Sequence, residues 1–218
     1  MFYPAFIDVT GRRCLVVGGG PVATEKTEKL LASGARIRLV SPALTPDLDR
    51  LVALGAVDEF HGRPYRTGDL DDCFLVIAAT SDEAANRHVW ADAEERRMLA
   101  NVVDVPELCN FIVPSIMRHS ELAVAVSTGG ASPVVARRVR QRIEDAIGPE
   151  WGELVDMLRV TRGELKERYR DMPSRAEAVE RLLDAGIVER LAEGDRRGAA
   201  ELLADCLDPA PLPTGGHR

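Results

Sequence analysis

Between residues 12 and 104, short unbroken apolar runs alternate with segments whose apolar residues recur at helical spacing. "RCLVVG", "RIRLVS", "CFLVIAAT" and "MLANVVD" read as strands, with "AVDEFHG" a weaker fifth. "RCLVVG" is a continuous apolar run without the in–out alternation of a half-exposed sheet, as expected for a parallel strand covered on both faces. The spacing predicts a helix from Pro21 to Ser33, with Gly34 placed to stop it. "TPDLDRLVALG" predicts another, capped by Thr45 and opened by Pro46. "SDEAANRHVWADAEERR" predicts a third, with Ser81 as its cap, early acids and late arginines matching the helix dipole. Repeated βα units imply a doubly wound, Rossmann-like parallel sheet of the α/β class.

The pattern changes near residue 107. "NFIVPSIMRHSELAVAVSTGGASPVVARRVRQRIEDAI" predicts a strand, a turn, an antiparallel partner and a helix starting at Ser132-Pro133. From Pro149 onward the spacing is helical: Trp151, Leu154, Val155, Leu158 and Leu165 share one face, and two or three further helices follow. The expected division is therefore 1–112 for the α/β domain, 113–148 for a small α+β region, 149–208 for a helical domain and 209–218 for a disordered tail.

Composition adds exclusions. The 218 residues carry a net charge of −7, which argues against a nucleic-acid surface or an anionic membrane as partner. No apolar run approaches the ~18 residues of a membrane span. "MFYPAFIDVTGRR" lacks a basic start and a long apolar stretch, so no secretory signal is expected and the cytoplasm is the expected compartment. Cys14, Cys73, Cys109 and Cys206 are scattered and read as reduced, buried thiols. His61, His88, His119 and His217 show no metal-ligand spacing, and no permanent metal is expected.

Three stretches carry candidate chemistry. Gly18-Gly19-Gly20-Pro21-Val22-Ala23 matches G-x-G-x-x-A between a strand and a helix. Gly18 permits the tight turn, Gly20 lets a pyrophosphate approach the backbone, and Ala23 allows close packing of helix on strand. Ser41 stands at the end of strand two, where an NAD-binding unit usually has an acid. It can donate one hydrogen bond to a ribose hydroxyl and does not repel a 2′-phosphate, so NAD and NADP both remain open. Arg36 and Arg38 lie on the strand itself, and the reading taken is NAD. Asp104 falls just past the C-terminal end of a strand, where such sheets bind ligands. An acid buried there suits general-base work; the alternative is a turn aspartate ahead of Pro106. In "STGGASPVVARRVRQR", Ser127, Thr128, Gly129 and Gly130 precede a helix N-terminus, a combination suited to carboxylate or phosphate. Arg137, Arg138, Arg140 and Arg142 follow, either as anion ligands or as a solvated face paired with Glu144 and Asp145.

"CLVVGGGPVATEK", "NVVDVPELCNFIVPS" and "AVAVSTGGASPVVARRVR", in this order and spacing, resemble the precorrin-2 dehydrogenase family, met also as the N-terminal half of sirohaem synthase. The resemblance covers residues 3 to about 150. It implies NAD-dependent oxidation of precorrin-2 to sirohydrochlorin, and in some members insertion of ferrous iron, there a substrate, to give sirohaem. It implies a homodimer, with residues 113–148 as the dimerisation region. It places the essential aspartate at Asp104 and the Ser/Thr-Gly-Gly loop at Ser127 to Gly130. By the same resemblance Pro21, Val22, Pro42, Ala43 and Thr80 line the cofactor, with Gly18, Gly20, Ala23 and Ser41. Arg118, His119 and Arg137 are candidates for the substrate's carboxylates. The methyltransferase half of the fused enzyme is not expected within these 218 residues. The alternatives are an NAD-sensing regulatory module without catalysis, or a chelatase alone.

Overall fold

The computed structural model describes residues 2–207; the tail expected at 209–218 lies outside them. The described residues divide at Val113–Pro114 into two compact units.

The first unit is built on five parallel strands: β1 (Arg13–Val17), β2 (Arg36–Val40), β3 (Glu59–His61), β4 (Leu75–Ala78) and β5 (Leu99–Val102). Their order is β3-β2-β1-β4-β5. Side-chain parity divides the core into two layers, because successive residues of a strand face opposite sides. Cys14, Val16, Ile37, Leu39, Leu75 and Ile77 pack on one face with Ala23 of helix α1 (Pro21–Ala32) and Leu48 of α2 (Pro46–Ala53). Leu15, Val17, Val40, Val76 and Ala78 pack on the other with Val89 and Ala93 of α3 (Glu83–Glu95). This is why β1 and β4 read as continuous apolar runs. Each fully buried large aliphatic among them stabilises the fold by roughly 1.5–3 kcal/mol.

Local signals set the helix ends. Gly34, at φ 77°, ends α1, and the Ala35 N–H closes the turn on the Leu30 carbonyl at 3.0 Å. The Thr45 hydroxyl accepts from the Leu48 N–H and caps α2. The cap of α3 is Asp82, which accepts from the Ala85 N–H at 3.1 Å, and not Ser81. The Thr80 hydroxyl takes the Asp82 N–H at 2.9 Å, which moves the helix start one residue on. The β5 edge is covered by its own chain: the Asn110 amide accepts from the Ala100 N–H and donates to the Met98 carbonyl, both at 2.8 Å.

The second unit begins with an antiparallel hairpin, β6 (Ser115–His119) and β7 (Leu122–Val126), closed by a two-residue turn with Ser120 at φ 53°. Helix α4 (Pro133–Ala146) packs on the hairpin, with Ser132 as its cap. Beyond it come α5 (Pro149–Val160), α6 (Arg162–Arg168), α7 (Met172–Asp184), α8 (Ile187–Ala192) and α9 (Arg196–Leu207). The stretch expected as one helix from Pro149 breaks at Thr161, whose hydroxyl turns back onto the Met157 carbonyl. Leu154, Leu182, Ile187, Leu191, Ala199 and Leu203 form the core of these helices.

Candidate functional site

The C-terminal ends of the parallel strands open into a cleft of about 710 Å³, lined among others by Gly18 to Val22, Ser41 to Thr45, Arg63 to Tyr65, Ala79 to Asp82, and Asp104. It lies wholly within the first unit. β1 is where strand order reverses, and doubly wound sheets hold ligands at that crevice.

The three glycines are needed for different reasons. A Cβ on Gly18, whose φ is 128°, would stand 2.3 Å from the Ala79 carbonyl oxygen. A Cβ on Gly19 would stand 1.8 Å from the Ala43 carbonyl oxygen. These two let the β4–α3 and β2–α2 connectors close onto the turn. A Cβ on Gly20 would meet nothing within 4 Å; the space above it belongs to the cleft. Gly20 also caps α1 without a side-chain acceptor, so the first N–H groups of that helix are not satisfied by a cap side chain. An open glycine at an uncapped helix start fits a pyrophosphate. Ala23 is fully buried beneath it, and Pro21 and Val22 are exposed at the mouth.

The β2 side of the cleft is tied down by hydroxyls. Thr24 donates to the Gly20 carbonyl at 3.1 Å and shares a 2.8 Å hydrogen bond with Thr45. The Thr45 N–H reaches the Gly19 carbonyl at 2.8 Å. Ser41 is buried and its hydroxyl donates to the Ala43 carbonyl at 2.7 Å. Its proton is committed to shaping the connector that carries Pro42 and Ala43. On the β4 side, Asn86 is buried and its amide donates to the Thr80 carbonyl at 3.0 Å, anchoring the stretch from Thr80 to Asp82.

Arg63, which the sequence reading did not single out, stands two residues past β3 and lines the cleft. Its guanidinium grips Asp69 through both carboxylate oxygens, at 2.6 and 2.8 Å. Burial alone would push the Asp69 carboxyl up, but Arg63 and the Arg66 N–H together hold it below the ordinary carboxylate range. A carboxyl depressed on folding contributes stability that is complete above its unfolded value, about pH 4, and fades as pH falls through the folded one. Asp69→Asn should therefore lose about 1–3 kcal/mol at neutral pH. Urea unfolding should show a smaller drop from neutral to acid pH in the variant than in the wild type. Equal drops would remove Asp69 from the acid response.

Asp104 sits two residues beyond β5, at the same end of the sheet, with φ at 63°. Its neighbours hold it there: the Val103 N–H donates to the Ala78 carbonyl at 2.9 Å and the Val105 N–H to the Val102 carbonyl at 3.2 Å. A non-glycine residue in the left-handed region is sparsely populated and concentrates at functional sites, aspartate being among the tolerant types. The carboxylate is exposed in the cleft rather than buried as the sequence suggested. The cleft thus gathers Asp104 and Thr80 with the glycine turn and the stretch from Ser41 to Ala43.

The remaining candidates belong to the second unit. Gly129 and Gly130 both have positive φ, 63° and 91°, in the loop before α4. The Ser127 hydroxyl accepts from the Gly129 N–H, and the Thr128 hydroxyl both accepts from and donates to the Ser132 backbone. Thr128 is committed to the loop, whereas the Ser127 proton is not. His119 is partly buried, with Nε2 3.1 Å from the Ile147 carbonyl. Arg118 and Arg137 are exposed, and Arg140 pairs with Glu144. The four cysteines are free thiols, and burial pushes Cys14 up to about 12, which leaves it inert as a nucleophile at neutral pH. Among the described residues no helix is long and apolar enough to cross a membrane, and no cluster of three or more His, Cys, Asp or Glu is arranged to hold a metal.

Comparison with known proteins agrees with this geometry. Residues 5–115 match the model of an NAD(P)-binding family, and residues 121–146 match that of the central region of sirohaem biosynthesis proteins. The chain is 44% identical over 207 residues to a sirohaem synthase of Thioalkalivibrio sulfidiphilus, covering 95% of this chain and 42% of the relative. It is 38% identical over 216 residues to that of Nitrosomonas europaea, covering 98% and 46%. It thus spans less than half the length of these relatives. Among solved structures, SirC, a precorrin-2 dehydrogenase, shares the fold with a TM-score of 0.75 at 24% identity, covering 94% of this chain and 98% of that one.

Proposed function

The chain belongs to the NAD(P)-binding family, and from that premise we propose that it oxidises precorrin-2 to sirohydrochlorin with NAD as acceptor. The observation that carries this reading is Asp104, an acid on a left-handed backbone that lines the same cleft as the open glycine turn. The overall change removes two electrons and two hydrogens from the macrocycle, one hydrogen leaving as hydride and the other as a proton. Bound NAD supplies the hydride acceptor. Gly20 and the α1 N-terminus hold its pyrophosphate, and the stretch from Ser41 to Thr45 with Thr80 forms the walls on either side. Asp104 takes the proton, and its solvent contact lets that proton leave. The reading extends to a second step, insertion of ferrous iron into sirohydrochlorin, in which Asp104 receives the displaced pyrrole protons.

Within the second unit, the residues assigned to the substrate's carboxylates are Ser127, Thr128, Gly129, Gly130, Arg118, His119 and Arg137, on the strength of the family resemblance and of their hydroxyl, N–H and cationic chemistry. A homodimer formed through the second unit is part of the same reading, with Val134 and Val135 of α4, 65% and 51% exposed in the single chain, as apolar surface for a second copy to cover.

The assay is direct. Incubation with precorrin-2 and NAD should yield NADH and sirohydrochlorin in equal amounts, and later addition of ferrous iron should convert the product to sirohaem. Binding of NAD with no oxidation would favour a regulatory module. Sirohaem formation from sirohydrochlorin, with no NADH produced from precorrin-2, would favour a chelatase alone.

A further inference from the structure

We propose that the Arg63–Asp69 ion pair makes this cleft select NAD over NADP. The inference rests on the reading of the cleft as an NAD site. In a doubly wound sheet the adenosine ribose lies at the end of the second strand, and a nearby arginine is what accommodates a 2′-phosphate. Here β3 runs beside β2, with Val40 opposite His61, and the Ser41 N–H donates to the His61 carbonyl at 3.2 Å. Arg63 follows two residues later and lines the cleft together with Ser41, Pro42 and Ala43. Among the described residues that line it, Arg63 is the single cation.

That cation is already engaged. Both Nη atoms are turned onto Asp69, and Nη1 also donates to the Pro64 carbonyl at 3.0 Å. The Asp69 side chain is 5% exposed, against 27% for Arg63. The acid is therefore the fixed partner, and the arginine is the one that could turn. The Arg66 N–H holds Asp69 from the other side at 2.8 Å. The guanidinium fork that would take a phosphate bidentately is thus occupied and its charge neutralised from beneath. Asp82 and Asp104 line the same cleft. A 2′-phosphate would enter a site whose acids outnumber its free cations, whereas the 2′-hydroxyl of NAD carries no such charge. This discriminates against NADP without an acidic residue at position 41.

The test is direct binding, read by calorimetry with NAD and NADP on the whole chain, without substrate. Wild-type protein should bind NAD at least about tenfold more tightly than NADP. Asp69→Asn removes the charge and keeps an acceptor for the Arg66 N–H. It should tighten NADP binding by about tenfold, the worth of one charge-assisted contact, and change NAD binding less than about threefold. An unchanged preference in a folded Asp69→Asn protein would overturn the inference while leaving the NAD reading intact. Wild-type protein that binds NADP as tightly as NAD would instead overturn the NAD reading itself. Should Asp69→Asn not fold, the double variant Arg63→Gln/Asp69→Asn decides. It removes the pair without leaving the Asp69 carboxylate bare, so NADP binding should stay within about threefold of the wild type, and a weakening of about tenfold confined to NADP would show that Arg63 already serves the 2′-phosphate and would overturn the inference.

Discussion

Asp104→Asn should lower precorrin-2 oxidation by about a hundredfold or more, the range expected when a positioned general base is lost, while NAD binds as in the wild type. Asparagine is the informative replacement because it tolerates the left-handed backbone that Asp104 adopts at φ 63°. It also keeps the size of the side chain and removes only the capacity to take a proton. Alanine would confound lost chemistry with a strained backbone. Stopped-flow absorbance of NADH with calorimetric binding of NAD separates the two steps. Undiminished turnover in a variant that still binds NAD would take the proton-accepting role away from this carboxylate.

Gly19→Ala should have the second-largest effect. The methyl group would be placed 1.8 Å from the Ala43 carbonyl oxygen and 2.6 Å from the Ser41 hydroxyl. One of these is backbone in a connector pinned by Thr45 to Gly19 itself, so the β2–α2 connector must shift as a body. Overpacking of this kind costs about 1–3 kcal/mol, and the displaced connector is a wall of the cleft. NAD affinity should fall at least about tenfold, and the melting temperature should drop with it. A variant with wild-type affinity would mean that the connector does not form the cofactor's wall.

Gly19 also marks what a sequence reading can and cannot reach. The G-x-G-x-x-A pattern leaves its second position free, and only the approach of Ala43 explains why it is glycine here. The parallel sheet was legible because β1 and β4 are apolar on both faces, and Thr45 was legible as a cap and Ser132-Pro133 as a helix start because these are local signals. Ser81 was read as a cap because the sequence does not reveal that the Thr80 hydroxyl takes the next N–H. The two ends of the cleft that carry Gly18 to Gly20 and Asp104 could be located from strand order. Arg63 was passed over although "AVDEFHG" ends one residue before it, because nothing in the sequence marks its pairing with Asp69. Ser41 was read by its chemical type as a ribose ligand, whereas its hydroxyl is spent two residues away. For both serines the deciding contact is between residues two apart, set by the local backbone conformation and not by residue type.

The Asn110 amide imitates a neighbouring strand, offering an acceptor to the Ala100 N–H of β5 and a donor to the Met98 carbonyl just before it. An outer strand satisfied in this way has no open hydrogen-bonding row on that stretch, so another polypeptide cannot extend the sheet there. Growth into fibrils by addition at this end would first require the amide to let go. Asn110 is thereby a guard on colloidal behaviour as well as a fold element.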